Sequence, residues 1–106
     1  MTDQTADPRV RAAVERLDEP FAILLGRLRA EEQEEMREFF AEARDALEEA
    51  TTEGELQRVC TTWLGPSGPL CIAHGVTPAG MACLDHLLAV ALEIAQEFAR
   101  SGTTLH

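Results

Sequence analysis

The sequence predicts an all-α protein, a small bundle of four or five helices. Three observations lead there. Apolar residues recur at i, i+3, i+4 and i+7 through most of the chain from residue 8 onward. Pairs that start helices recur too, as Asp7-Pro8, Glu19-Pro20 and Thr77-Pro78. Finally, 106 residues with 45% apolar content suit one compact domain. At that size folding buries roughly 65% of the unfolded chain's surface, so a core forms without disulfides or a structural metal.

Residues 1–7 are polar and unpatterned and are expected to be a disordered tail, leaving 8–106 as a single helical domain. Asp7 is a good N-cap and Pro8 a favourable first helical residue. Val10, Ala13, Val14 and Leu17 then form one apolar face, which predicts a first helix over 8–17. Asp18-Glu19-Pro20 reads as a reset, and Phe21, Leu24, Leu25 and Leu28 give a second helix starting at Pro20. The phase is lost at Arg29 and Ala30, which predicts a kink or a short joint.

From Glu31 to Ala50 the pattern is clearest. Met36, Phe39, Phe40, Ala43, Leu47 and Ala50 line one side, and glutamates fill much of the rest. Glu31, Glu32, Glu34 and Glu35 are expected in its first turns, where the positive end of the helix dipole favours acids. Thr52 and Glu55 have the spacing of a capping box, followed at helical period by Leu56, Val59, Cys60, Trp63 and Leu64. Gly65-Pro66 should end that helix, and the Gly/Pro-rich run at 65–69 reads as a linker between the acidic helices and the C-terminal part. Leu70 to Ala73 is too short to assign.

Thr77-Pro78 opens a last helix running to about Arg100, closed by Ser101-Gly102. Its polar residues are few: Asp85, His86, Glu93, Gln96, Glu97 and Arg100 share a narrow stripe. The helix is therefore expected to be largely buried, either at the centre of the bundle or with one side covered in a homodimer.

Composition excludes several chemistries. There is no Lys, Asn or Tyr, which removes lysine Schiff bases, the lysine of a phosphate loop and a tyrosine general acid. With 16 alanines, this usage points to a GC-rich bacterial coding sequence. No basic head or apolar core of an export signal is present near the N-terminus, and Asp85 and His86 interrupt the most apolar stretch. The expectation is a cytoplasmic protein without a membrane partner. Three cysteines then read as reduced thiols or metal ligands.

The net charge of −10 argues against direct nucleic-acid binding. Its distribution says more. Residues 1–30 are neutral, 31–58 hold eleven acids and three arginines, and 59–106 hold three acids and one arginine. No twelve-residue calcium loop is present among those acids. The acidic helix is accordingly the candidate surface for a basic protein partner, through Glu31, Glu32, Glu35, Glu38, Glu42 and Glu49. The function expected is a small acidic interaction or regulatory module of the antitoxin or inhibitor kind, not an enzyme, with no cofactor.

The alternative is a zinc protein. Cys71, His74, Cys83 and His86 spell C-x2-H-x8-C-x2-H and supply four ligands of the right type, although the order matches no specific zinc motif. A Cys71–His74 nucleophile lacks an accompanying substrate loop, and Trp63, Phe39 and Phe40 read as core. No helix carries the exposed basic residues that DNA recognition needs; the nearest is the Arg9, Arg11 and Arg16 face.

Overall fold

The structure, a computed structural model, describes residues 7–103, with side chains to Arg100. It is all-α among these residues, with helices α1 Pro8–Ala30, α2 Glu34–Glu49, α3 Glu53–Val59, α4 Ser67–Ala73 and α5 Pro78–Thr103. The tail expected at 1–7 lies, apart from Asp7, outside the described residues.

α1 is one continuous helix, where the sequence suggested two. Pro20 sits inside it, buried. Proline in a helix interior costs about 3 kcal/mol through a lost hydrogen bond and a ring clash. The helix persists because the apolar stripe never loses phase across Pro20. Val10, Val14, Leu17, Phe21, Leu24 and Leu28 alternate four- and three-residue steps, and all are buried. Asp7 caps the start, its carboxylate accepting from the Arg9 amide at 2.9 Å.

The break falls where the phase is lost. The Glu32 amide donates to the Arg29 carbonyl at 3.1 Å and the Gln33 amide to Leu28 at 2.9 Å, the paired bonds of a Schellman stop. That stop puts Glu32 at φ 60°, a left-handed position where a side chain is strained. Glu31 and Glu32 therefore form the joint, not the first turn of the acidic helix, which begins at Glu34. α4 ends in the same way with a glycine: Gly75 at φ 76° donates to Ile72, and the Val76 amide reaches Cys71.

The capping box is present with a shifted partner. The Thr52 hydroxyl accepts from the Glu55 amide at 3.2 Å, while the Glu55 carboxylate reaches back to the amide of Thr51 at 2.8 Å. α3 does not run straight to Gly65. Cys60–Leu64 form one π-helical turn, with the Gly65 amide donating to the Cys60 carbonyl at 3.0 Å. A β-carbon on Gly65 would lie 2.6 Å from the Thr61 carbonyl oxygen, so the turn closes only on glycine.

The run at 65–69 is not an open linker. Only Gly65-Pro66 turns; Ser67 begins α4, and Pro69 lies in its first turn, where the missing amide hydrogen has no helical acceptor to lose. The Ser67 hydroxyl, fully buried, donates to the Leu64 carbonyl at 2.7 Å.

α1 is the centre of the bundle. α2 folds back along one flank and α5 runs antiparallel along the other, while α2 and α5 hardly meet. Arg44 ties α2 to α1 through two bonds to one Asp18 oxygen, at 2.6 and 2.9 Å. Arg16 ties α1 to α5 through Glu97 at 2.9 Å and Glu93 at 3.3 Å. The α3 to α4 segment crosses from α2 to α5 and closes the core with Leu56, Val59, Leu64 and Cys71. The result is flat, with principal extents of 44 × 30 × 19 Å.

α5 is partly buried, short of the expectation. Its inner seam of Gly80, Leu84, Leu87, Ile94 and Phe98 is buried, whereas Leu92 is 59% exposed. By length and composition alone Pro78–Arg100 is long and apolar enough to cross a membrane, Asp85 and His86 notwithstanding, and 22% of its most apolar window is buried inside the fold.

Two outcomes are expected from these local features. Glu32→Gly relieves the left-handed strain and should stabilise the fold by about 0.5–1 kcal/mol, read as a rise in the urea midpoint at unchanged slope; a fall would contradict the assigned backbone. The bonds from Thr51 hold the Glu55 carboxyl below the usual carboxylate range, so its contribution is present at neutral pH and lost as pH falls through that lowered value. Glu55→Gln should thus lower the midpoint at pH 7 relative to Glu49→Gln, which removes the same charge, and the two should converge at acid pH.

Candidate functional site: the acidic face of α2

The geometry of α2 follows from its seam. Met36, Phe40, Ala43 and Leu47 are buried against α1, so residues half a turn away must face outward. Glu35, Glu38, Glu42, Asp45 and Glu49 are all exposed and follow one another by three and four residues. They form a single stripe about 21 Å long on a helix rising 1.5 Å per residue.

The arginines of α2 leave most of this stripe unneutralised, although Arg37 lies within reach of the Glu38 charge. Arg44 is turned toward α1 by Asp18, and Arg37 pairs with Glu34 at 2.8 Å. Glu42, Asp45 and Glu49 make no hydrogen bond or ion pair among the described residues. Successive acids on one helix face repel one another, and a cationic surface laid against them removes that repulsion. At the far end Arg58 borders the stripe, in a shallow cleft with Glu49 and Glu55.

The six sequence-predicted residues divide in two. Glu35, Glu38, Glu42 and Glu49 share the stripe; Glu31 and Glu32 do not. Glu31 is half-buried at the α1–α2 joint and turns to α5. Its carboxylate accepts from the Thr77 hydroxyl and from the Thr77 amide, the latter at 3.4 Å. Thr77 in turn caps α5, its hydroxyl accepting from the Gly80 amide at 3.2 Å. Glu31 thus places a negative charge at the positive end of the α5 dipole and serves the fold. Gly80 leaves space for the Val76 side chain, since a β-carbon there would sit 2.5 Å from Val76 Cγ1. Asp45 belongs to the stripe and was missed; its place three residues after Glu42 and four before Glu49 was the available signal.

Neighbouring bonds brace the same joint. Gln33 donates through Nε2 to the His74 carbonyl at 3.1 Å, and His74 Nδ1 lies 3.3 Å from a Glu35 oxygen. His74 is therefore drawn toward the acidic helix.

The other members of the Cys/His set are scattered. Cys71 is fully buried on α4, Cys83 lines a cleft with Ile23, Gly26, Arg27 and Ala30 of α1, and His86 is exposed on α5. No group of three or more His, Cys, Asp or Glu side chains is placed to hold a metal ion among the described residues. Burial pushes the Cys71 and Cys60 thiols above their ordinary range, which favours the protonated form over the thiolate a metal or nucleophile requires.

Two apolar clefts flank α5. One, of about 180 Å³, holds Arg9 stacked 5.0 Å above the Phe98 ring, with Arg16 at its edge. Both cations already face carboxylates, Arg9 those of Asp7 and Glu53 and Arg16 those of Glu93 and Glu97. The other, about 230 Å³, lies between Cys60 and Thr61 of the π turn and Ala91 and Ala95 of α5. Both are smaller than typical small-molecule pockets, which begin near 300 Å³.

Comparison with known proteins adds no assignment: no family model matches the chain, and neither a curated protein nor a solved structure matches it significantly.

Proposed function

We propose that this protein is a small acidic interaction module that binds a basic protein surface through the outer face of α2. One observation carries the reading. Glu35, Glu38, Glu42, Asp45 and Glu49 stand in one exposed row, while the two arginines of the same helix are committed to other carboxylates. An acidic surface whose only task is solubility gains from interspersed charges. A one-signed row on a rigid helix is instead suited to steering and holding a cationic partner.

The same features favour binding over catalysis. The acids of the row are exposed, so nothing desolvates one of them to raise its pKa for proton transfer. Rigid presentation serves recognition, because the partner meets carboxylates already in register and orders few additional side chains.

An arginine-rich peptide serves as the probe. Its affinity for the wild-type protein should fall steeply between about 50 and 300 mM salt, as surface charges are screened. Glu38→Lys/Glu42→Lys should weaken binding about tenfold or more relative to Glu15→Lys/Glu19→Lys on α1, which alters net charge equally. Equal loss in both double variants would mean that the peptide senses total charge and would overturn the assignment of the face.

A further inference from the structure

The N-terminal end of the acidic row is set in a fixed corner of the fold. α4 stops at His74 because Gly75 takes the left-handed position and the Val76 amide reaches back to the Cys71 carbonyl at 3.0 Å. Gln33, the residue before α2, then holds the His74 carbonyl through Nε2 at 3.1 Å. With its backbone anchored in this way, His74 sets its ring against Glu35, with Nδ1 3.3 Å from a carboxylate oxygen. Glu35 is the first acid of the row.

The other charges at this corner are engaged elsewhere. On α2 Glu34 is paired with Arg37 at 2.8 Å, and at the joint Glu31 is turned to Thr77. The start of α5, from Pro78 to Leu84, and the π turn Cys60–Leu64 carry no charged residue. Their titratable groups face other clefts, Cys60 that beside Ala91 and Ala95, and Cys83 that beside Ile23 and Arg27. Arg27 and Arg29, in the last turn of α1, form no ion pair with Glu35 among the described residues. The imidazole beside the row belongs to the side-chain type whose charge changes between about pH 5 and 8.

Resting on the reading of α2 as a binding face, we propose that His74 couples partner binding to pH. A proton on its imidazole sets a positive charge against Glu35 and weakens the hold of the row on a cationic partner, and the bound partner in turn expels that proton. The proton and the partner's cation compete for one carboxylate, because the neutral ring offers Glu35 an N–H without a charge. Reciprocity follows from linkage: the factor by which the proton lowers the partner's affinity is the factor by which the partner lowers the proton's. Affinity is therefore highest near pH 8 and falls toward pH 6, a range above ordinary carboxylate titration.

The affinity of the full chain for the arginine-rich peptide, measured at low salt at about pH 8 and pH 6, tests the coupling. Wild-type binding should weaken about two- to fivefold between them, the worth of one exposed ion pair. His74→Gln should lose that dependence. His86→Gln, which removes the exposed imidazole of α5, should keep it. Calorimetric titration of the wild-type protein near pH 6.5, in two buffers of unequal ionisation enthalpy, should show release of a fraction of one proton on binding. Equal pH dependence in the wild type and His74→Gln, or binding without proton release, overturns the coupling while leaving the acidic face intact. Loss of the dependence in His86→Gln as well would assign it to total charge and overturns the coupling too. Absence of peptide binding at both pH values overturns the face itself and the coupling with it.

Discussion

Everything in this fold depends on burying α1. Its stripe from Val10 to Leu28 runs unbroken for five turns, is apolar enough to need cover on two flanks, and cannot obtain it from one helix. α2 covers the first flank and α5 the second, and the short segments between them are routed by that requirement. The hydrophobic demand is strong enough to hold a proline inside the helix. It also explains the flat shape, because two helices that share a partner and hardly meet each other make a sheet-like layer of three.

The polar contacts are placed where this arrangement would otherwise be free to slide. Arg44 with Asp18 sets the register of α2, Arg16 with Glu93 and Glu97 sets that of α5, and Glu31 with Thr77 joins the two loops at one end. Each is exposed or half-exposed, so each adds little to stability alone. Their value lies in specifying one register among several that an alternating four–three apolar pattern would accept.

The helical class, the start at Pro8, the acidic amphipathic helix, the Thr52 cap and the start at Pro78 were legible because each rests on local chemistry. The errors share a cause. Pro20 was read as the start of a new helix, while the phase of the stripe across it decided the outcome. Pro69 was read as a linker residue, although a proline in the first helical turn forfeits no bond. The burial of α5 was overestimated because composition shows that a helix is apolar and not whether its own chain has enough surface to cover it. For the acidic face, spacing alone identified Glu35, Glu38, Glu42 and Glu49, but Glu31 left the row through a contact with Thr77, forty-six residues away, that no local pattern encodes. The same blindness to distance assembled Cys71, His74, Cys83 and His86 on paper, where the fold buries one thiol and leaves His86 on the surface.

The antiparallel pairing of α1 with α5 has a consequence for how the chain is made. Among the described helices, α1 is synthesised well before α5, from which it receives its second cover. α1 and α2 are complete by residue 49, and α5 ends more than fifty residues later. At a synthesis rate of about 5–20 residues per second, the nascent hairpin waits several seconds with one apolar flank of α1 bare. That interval is when a chaperone or another nascent chain has access to it. Docking of α5 on α1 joins residues some eighty positions apart, so a long loop must close before those contacts form.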